Sequence, residues 1–194
     1  MGWHWIDKVA AVPAAPAQTR TLMISAGHDH RAPGVVANGF TEAELCLEFR
    51  DDLSTRLRER GIRHLKDGEP GENLPLREAV RIAATCDLAV EFHCNGAANR
   101  GATGVETLSH ARDFPLAGRL CTVMSQTQGL ANRGAKPENS GQHHRLAFVS
   151  TGGGIIAELF FLTNPADLAA YLDRREALLE AMADALADAA RVPT

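Results

Sequence analysis

The sequence of 194 residues lacks several features that would point to particular classes of protein. It has no excess of positive charge: the net charge is −4, so it lacks the basic surface with which proteins bind nucleic acid or anionic membranes. No apolar run is long enough to cross a bilayer. We therefore expect no nucleic-acid partner and no transmembrane segment.

Cysteine is scarce, and none of the four residues forms the Cys-x-x-Cys pair that is typical of zinc and redox sites. Cys46, Cys86 and Cys121 lie inside apolar helix or strand patterns, which predicts buried free thiols. Cys94 directly follows His93, and in a strand its side chain would point to the opposite face. Cys94 is therefore predicted to be a core residue and not a ligand.

The N-terminus has no convincing signal peptide, because Asp7 and Lys8 interrupt the apolar stretch and Pro13 and Pro16 follow soon after. We expect a protein made in the cytoplasm without its own export signal. Residues 1–19 are predicted to be an extension, with two Trp and then an Ala/Pro-rich connector. The expected role is an arm that packs on the domain, with a docking element as the alternative. Residues 20–194 are predicted to form one folded domain.

From Thr21 onward the pattern alternates between strands and helices. A capping box of Thr41 and Glu44 predicts a helix start, and Gly61 predicts its end. This alternation predicts a single α/β domain with a twisted, mostly parallel sheet and helices on both faces. Strands are predicted at Leu22–Ala26 and residues 62–65, 88–92, 104–109, 147–149 and 155–159; helices are predicted from Thr41 to Gly61 and at residues 74–85, 114–129 and 173–191.

Four polar residues occupy similar places in these elements. His28, His93 and Glu158 each close a short apolar run, and Glu42 lies in the first turn of a helix. The carboxyl ends of parallel strands converge on one crevice of an open α/β sheet. Two histidines, a glutamate and a spare carboxylate are what a zinc hydrolase requires: three protein ligands, an open position for water and a base.

Each residue also has a structural alternative. A lone histidine such as His28 is more often structural than a ligand, and Glu42 could simply stabilise the helix dipole. Glu44 is the other candidate ligand on this helix turn, but its carboxylate is expected to be engaged in the capping box. His93 has the strongest individual signal because it ends a near-continuous apolar strand. Glu158 lies in an apolar stretch, where a carboxylate is costly unless it is paired, bound to metal or functional.

Several further polar residues lie near these positions in the predicted fold. His30 could be a further ligand, but we expect it to hydrogen-bond a ligand residue or to face solvent. His143 and His144 could line the groove, but we expect them in an exposed loop. Asn95 either orients a ligand, contacts substrate or initiates a turn. Four residues are candidates for substrate contact: Asn95, Glu106, Arg133 and Lys136. For the two cations, Arg133 and Lys136, exposure to solvent is the commoner outcome.

From about Thr21 to Ala190 the chain resembles the zinc-dependent N-acetylmuramoyl-L-alanine amidases, which remove stem peptides from peptidoglycan. The likeness rests on motifs in the family's order and at about its spacings. They are Ile24-Ser-Ala-Gly-His28, Gly39-Phe-Thr-Glu42-Ala-Glu-Leu-Cys-Leu, Leu76-Arg77, Asp87-Leu-Ala-Val-Glu-Phe-His93-Cys-Asn95, Gly104-Val-Glu106-Thr, Asn132-Arg-Gly-Ala-Lys136 and Ala157-Glu158-Leu-Phe-Phe-Leu-Thr-Asn164.

This resemblance implies that His28, Glu42 and His93 hold one Zn²⁺ per chain and that Glu158 is the catalytic carboxylate. Ser25-Ala26 replace the family's usual Asp-Pro, and Phe160 replaces a frequent glycine, which puts substrate fit in doubt more than zinc binding. The span from Gly129 to Glu158 is too short for the helical insert that blocks inactive members.

The expected function is hydrolysis of the bond between N-acetylmuramic acid and L-alanine in peptidoglycan, by a monomer. The setting most like this chain is a phage endolysin that acts in the periplasm and cell wall during lysis. A bacterial remodelling or recycling amidase is the alternative setting. Two other functions stay open at this point: a related zinc peptidase or amidohydrolase, and a non-catalytic wall-binding module.

Overall fold

A six-stranded sheet forms the centre of the computed structural model, which describes residues 17–140 and 145–191. The strand order is β4-β1-β5-β8-β6-β7, and β2 and β3 form a separate antiparallel hairpin. The strands are β1 (Leu22–Ala26), β2 (Val36–Ala37), β3 (Phe40–Thr41), β4 (His64–Lys66), β5 (Leu88–Asn95), β6 (Val105–Ser109), β7 (Asn132–Pro137) and β8 (Ile155–Phe161).

The sheet is mostly parallel, as predicted, with one reversal of direction. β1 pairs in parallel with β4 and β5, β5 with β8, and β6 with β7, whereas β8 and β6 are antiparallel. This reversal places the amino ends of β6 and β7 at the same edge as the carboxyl ends of β1 and β5. Side chains from both groups of strands can therefore reach one site.

Helices cover both faces of the sheet, which confirms the predicted fold class. α1, α3 and α5 pack with the larger apolar core on one face. α2 and α4 pack with a smaller cluster, which includes Phe148, on the other face. The helices are α1 (Glu42–Glu59), α2 (Leu76–Ala83), α3 (Phe114–Gln128), α4 (Ala147–Ser150) and α5 (Pro165–Arg191), and a 3-10 turn (Ala111–Asp113) precedes α3.

The alternation of side chains along the strands puts five polar residues of the sheet on the face covered by α2 and α4. Their neighbours two positions away, such as Met23, Ala89 and Ile156, belong to the smaller apolar cluster. Because side chains of residues i and i+2 share a face of a strand, the following residues share that face too. They are Ser25, Glu91, His93, Glu106 and Glu158.

The start of α1 follows from the capping box that the sequence predicts. The Thr41 hydroxyl accepts the Glu44 N–H, and the Glu44 carboxylate accepts the Thr41 N–H. Gly61 follows the end of the helix at φ +71°, a conformation that favours glycine. Because Glu44 is held at the cap, Glu42 is left to face the sheet.

Two predicted elements differ most from the structure, and β5 also extends three residues beyond its predicted end, to Asn95. Residues 147–149 were expected to be a strand but lie in α4, where the N–H groups of Val149 and Ser150 bond the Leu146 carbonyl. A short apolar run does not distinguish a buried strand from a helical turn. α5 begins at Pro165, earlier than expected, and the Asn164 side chain accepts the Ala166 N–H.

Two predictions fall on residues outside the described ranges, namely the tryptophan-bearing part of the extension (residues 1–16) and the pair His143 and His144. The end of the extension does contact the domain. Gln18 exchanges hydrogen bonds with the backbone of Arg63, and the Thr19 N–H bonds the Ala190 carbonyl. None of the helices in the described ranges is long and apolar enough to cross a membrane.

Candidate metal centre

Three elements bring His28, Glu42 and His93 together at the edge of the sheet. His28 follows β1 with φ +67°, a conformation that non-glycine residues rarely adopt and that often occurs at functional sites. The Asn73 side-chain amide donates to the carbonyl groups of Ala26 and His28 and holds this turn. Glu42 is the first residue of α1, and His93 lies near the carboxyl end of β5.

The three side chains point at a common centre. Glu42 Oε1 lies 3.3 Å from His28 Nε2 and 2.8 Å from His93 Nδ1. One ligand atom from each residue lies within 4.8 Å of the other two. The second nitrogen of His28, Nδ1, lies 3.0 Å from the Ala32 carbonyl, which leaves Nε2 for the centre.

The surroundings of these residues fit a metal ion. Two imidazoles and a carboxylate are the ligand set of a catalytic zinc site with one open position. Glycines supply the room: a Cβ at Gly27 would overlap the His93 ring, and a Cβ at Gly34 would overlap Glu42 Oε2 and the His28 ring. The backbone N–H groups of Val35 and Cys94 donate to the Glu42 carboxylate and fix its orientation.

The charges of the three groups are strongly coupled. Burial would raise the pKa of Glu42, but hydrogen bonds with His28 and His93 hold that pKa far below its usual value. The hydrogen bond with Glu42 raises the pKa of His28 against the effect of burial. Burial would lower the pKa of His93, but its bonds with Glu42 and Glu91 raise it well above the usual value. In the metal-free chain, protons therefore compete for the ligand nitrogens.

Glu158 lies directly beside this centre. It pairs in register with His93 on β5 and with Glu106 on β6. Its Oε2 is buried and has no hydrogen-bond partner among the described residues. Burial raises the pKa of Glu158 to about 7, against the opposing charge of His93. Glu158 lies within β8 and not at its end, because the buried residues Leu159–Phe161 continue the strand.

A charged cluster lies on the other side of Glu158. Glu106 Oε2 accepts from Arg133 Nε and Lys136 Nζ, both at 2.6 Å, and Glu106 Oε1 accepts from the Asn95 amide at 2.8 Å. Burial would raise the pKa of Glu106, but the hydrogen bonds and charges of Arg133 and Lys136 lower it. The Arg133 guanidinium also lies over the Phe161 ring, 4.9 Å from its centroid.

One groove of about 640 Å³ connects the metal-ligand group with the charged cluster. His28, Glu42 and His93 line one end, Glu106, Arg133 and Lys136 line the other, and Glu158 lies between them. A substrate bound in this groove would contact both ends.

Residues 22–190 match the sequence profile of the N-acetylmuramoyl-L-alanine amidase family. The chain belongs to this family. A crystal structure from Neisseria meningitidis, of a protein assigned as such an amidase, shares 36% identity and a TM-score of 0.81, covering 89% of this chain and 97% of that one. Family membership supports an amidase activity on peptidoglycan.

Two more distant matches include one solved structure, which shares the fold. The amidase of Clostridium difficile 630 has 20% identity and a TM-score of 0.71, over 89% of this chain and 95% of its own. The uncharacterized protein YqiI of Bacillus subtilis is 27% identical over 165 residues, which cover 81% of this chain and 77% of that protein.

Two other residues near the predicted ligands, His30 and Cys94, do not join the metal centre. His30 is exposed and is not part of the group of candidate ligands. Cys94 is buried in the core beside Cys46 with 3.8 Å between the sulfur atoms, and only its backbone N–H faces Glu42.

One residue of the centre escaped the sequence analysis. Glu91 Oε1 lies 2.9 Å from His93 Nε2, and Glu91 is almost fully buried. The signal was present, since a carboxylate inside the apolar run of β5 is as unexpected as Glu158 is in β8. The spacing of two residues from His93 places both side chains on one face of the strand.

Proposed function

We propose that this chain is a zinc-dependent N-acetylmuramoyl-L-alanine amidase that hydrolyses the bond between N-acetylmuramic acid and L-alanine in peptidoglycan. The observation that carries the proposal is the convergence of His28, Glu42 and His93 on one point, with the buried Glu158 beside them. Family membership independently supports the same substrate bond.

In this proposal His28 Nε2, Glu42 and His93 Nδ1 hold one Zn²⁺. When bound, such an ion lowers the pKa of water towards neutrality and polarises the carbonyl of an amide. The backbone N–H groups of Val35 and Cys94 orient the Glu42 carboxylate, and Gly27 and Gly34 leave room for the two imidazoles beside it.

Glu158 is proposed to be the general base and then the general acid. Its carboxylate accepts a proton as water attacks the amide carbon, and it returns that proton to the leaving amine of alanine. A pKa near 7 suits both transfers at neutral pH. The unpaired Oε2 is the atom that would carry the proton.

The charged cluster is proposed to bind the stem peptide. Arg133 and Lys136 bring two positive charges against the single negative charge of Glu106, so one positive charge is left over. Side chains of Arg133 and Lys136 are partly exposed to the groove, where they can meet a substrate carboxylate. Asn95 orients Glu106 in this arrangement.

The decisive experiment is digestion of purified sacculi with and without a metal chelator. We expect soluble peptides with new alanine N-termini, detected by mass spectrometry, and loss of their release with chelator. A peptidase would give cuts within the stem peptide instead. A wall-binding module would pellet with sacculi and release nothing in either condition.

A lytic role of the endolysin type, exerted by a monomer in the periplasm and cell wall, is proposed as the biological setting. A lytic enzyme should reduce the turbidity of intact sacculi, whereas a recycling enzyme should prefer soluble muropeptides. Comparing the two rates at equal concentrations of cleavable bonds separates these roles. Sedimentation equilibrium tests the monomer.

We also propose that residues 20–194 form the catalytic domain and residues 1–19 an extension. The family match over residues 22–190 supports this boundary. Removal of residues 1–16 should leave zinc binding unchanged, because the three proposed ligands, His28, Glu42 and His93, lie outside that segment.

A further inference from the structure

His93 contacts a carboxylate with each of its two ring nitrogens. Nδ1 lies 2.8 Å from Glu42 Oε1 and Nε2 lies 2.9 Å from Glu91 Oε1. Glu42 belongs to the candidate ligand group, whereas Glu91 does not. Glu91 therefore has a different function from Glu42, although both touch the same ring.

The function of Glu91 follows from the chemistry of imidazole. A neutral imidazole carries one proton, so a nitrogen that binds a metal must leave that proton on the other nitrogen. When Nδ1 of His93 faces the metal centre, Nε2 carries the proton and donates it to Glu91. Carboxylates in this position fix the tautomer and the ring orientation, and they raise the basicity of the ligand.

The second oxygen of Glu91 is held from the neighbouring strand. Ser25 pairs in register with Glu91, and its Oγ lies 3.1 Å from Glu91 Oε2 and 2.7 Å from Asp67 Oδ2. Asp67 Oδ1 in turn accepts from Arg50 Nη1 at 2.8 Å. A buried network of side chains thus runs from Arg50 through Asp67, Ser25 and Glu91 to His93.

This side-chain network is costly to bury. The side chains of Arg50 and Asp67 are 0% exposed, and that of Glu91 is 5% exposed. Burial of charged groups seldom adds net stability, even when they are paired. Arg50 also donates to the carbonyl groups of Glu69 and Glu72, so the end of the network farthest from His93 is fixed to a loop. Such a rigid support is what a precisely oriented ligand requires.

We propose that Glu91 is the positioning residue of His93, supported by Ser25, Asp67 and Arg50, and that it keeps Nδ1 directed at the metal. This inference rests on the proposed zinc site. It assigns to the chain a residue that touches neither metal nor substrate but sets the affinity for zinc.

Zinc affinity, measured by competition with a chromophoric chelator, tests this role without any substrate. Glu91→Ala should raise the zinc dissociation constant by about 10- to 100-fold. Glu91→Gln should recover part of the affinity, because its amide oxygen still accepts from Nε2. Ser25→Ala removes only the outer hydrogen bond and should have a smaller effect than Glu91→Ala.

Asp167→Asn is the matched control. Asp167 is equally buried and accepts from Thr103 and from the backbone of Gly104 and Phe161, but it contacts none of the three ligands. The control should lower the melting temperature of the metal-free protein while its zinc affinity stays at the wild-type value. A purely structural Glu91 would give the same pattern as this control.

Each outcome decides the matter. Wild-type affinity in Glu91→Ala overturns the proposal, and so does an equal loss of affinity in Asp167→Asn. If Glu91→Ala does not fold, wild-type affinity in both Glu91→Gln and Ser25→Ala overturns it. A wild-type protein that binds no zinc refutes the metal site and this inference with it, whereas normal zinc binding with an unaffected Glu91→Ala refutes the role of Glu91 alone.

Discussion

Each end of the groove places two basic side chains around one glutamate, but the basic groups differ in kind: imidazoles at one end, Arg133 and Lys136 at the other. At the ligand end, two imidazoles meet one carboxylate at a common point, and Gly27 and Gly34 leave the room that this arrangement needs. At the other end, two cations meet one carboxylate and neutralise it directly. Glu158 lies between them and pairs in register with a residue of each end.

The difference shows that convergence of charged residues alone does not define a metal site. The two cations beside Glu106, Arg133 and Lys136, have no lone pair to offer a metal. Together they carry one positive charge more than Glu106 balances, so this end of the groove can attract an anion. His28, Glu42 and His93 all carry lone pairs towards one point, which a dication satisfies best. We therefore expect the chemistry at one end and substrate recognition at the other.

The largest effect should come from the residue between the two ends. Glu158→Gln removes the proton acceptor while it keeps the shape, so kcat on sacculi should fall by about 10²- to 10⁴-fold. Zinc content should stay near one per chain, because Glu158 is not among the proposed ligands. Retention of most turnover in Glu158→Gln would show that another group acts as the base.

Zinc affinity at the ligand end should depend strongly on pH. The pKa values of His28 and His93 are raised in the metal-free chain, so both rings are protonated below their raised pKa values, and zinc must displace those protons. Zinc affinity should therefore weaken as pH falls, by about tenfold per pH unit for each proton displaced. Chelator competition between pH 5.5 and 7.5 measures this slope, and a flat profile would contradict the assignment of histidine ligands.

The substrate end should give the smallest effect. Arg133→Ala and Lys136→Ala should each lower kcat/KM by about tenfold, mainly through KM, because a partly exposed charged hydrogen bond is lost. Zinc affinity should not change. Arg119→Ala is the control, since Arg119 pairs with Asp188 on α5 and does not line the groove. Equal effects in all three variants would remove Arg133 and Lys136 from the substrate site.

Much of the ligand end could be predicted from the sequence because its elements carry strong local signals. The apolar runs of β1 and β5 and the capping box of α1 locate His28, His93 and Glu42 without any tertiary information. The convergence of His28 and His93 then follows from the geometry of parallel strands, whereas the resemblance to the amidase family is what implied Glu42 as the third ligand.

The substrate end could be predicted less well. β7 (Asn132–Pro137) has no alternating apolar pattern, since it is an edge strand whose pairing with β6 stabilises it. The antiparallel pairing of β8 with β6 is a long-range choice that no local pattern contains. Glu91 carried a local signal that was not used, whereas its support by Ser25 and Asp67 could not be predicted, because only the folded sheet joins these residues.

The central claim is that one zinc ion is held jointly by His28, Glu42 and His93. Its most direct test is an anomalous-difference map of zinc-loaded crystals, recorded on both sides of the zinc absorption edge. We expect a single site within about 2.0–2.2 Å of His28 Nε2, His93 Nδ1 and a Glu42 oxygen. A zinc peak bound elsewhere on the chain, or none at this position, would contradict the account.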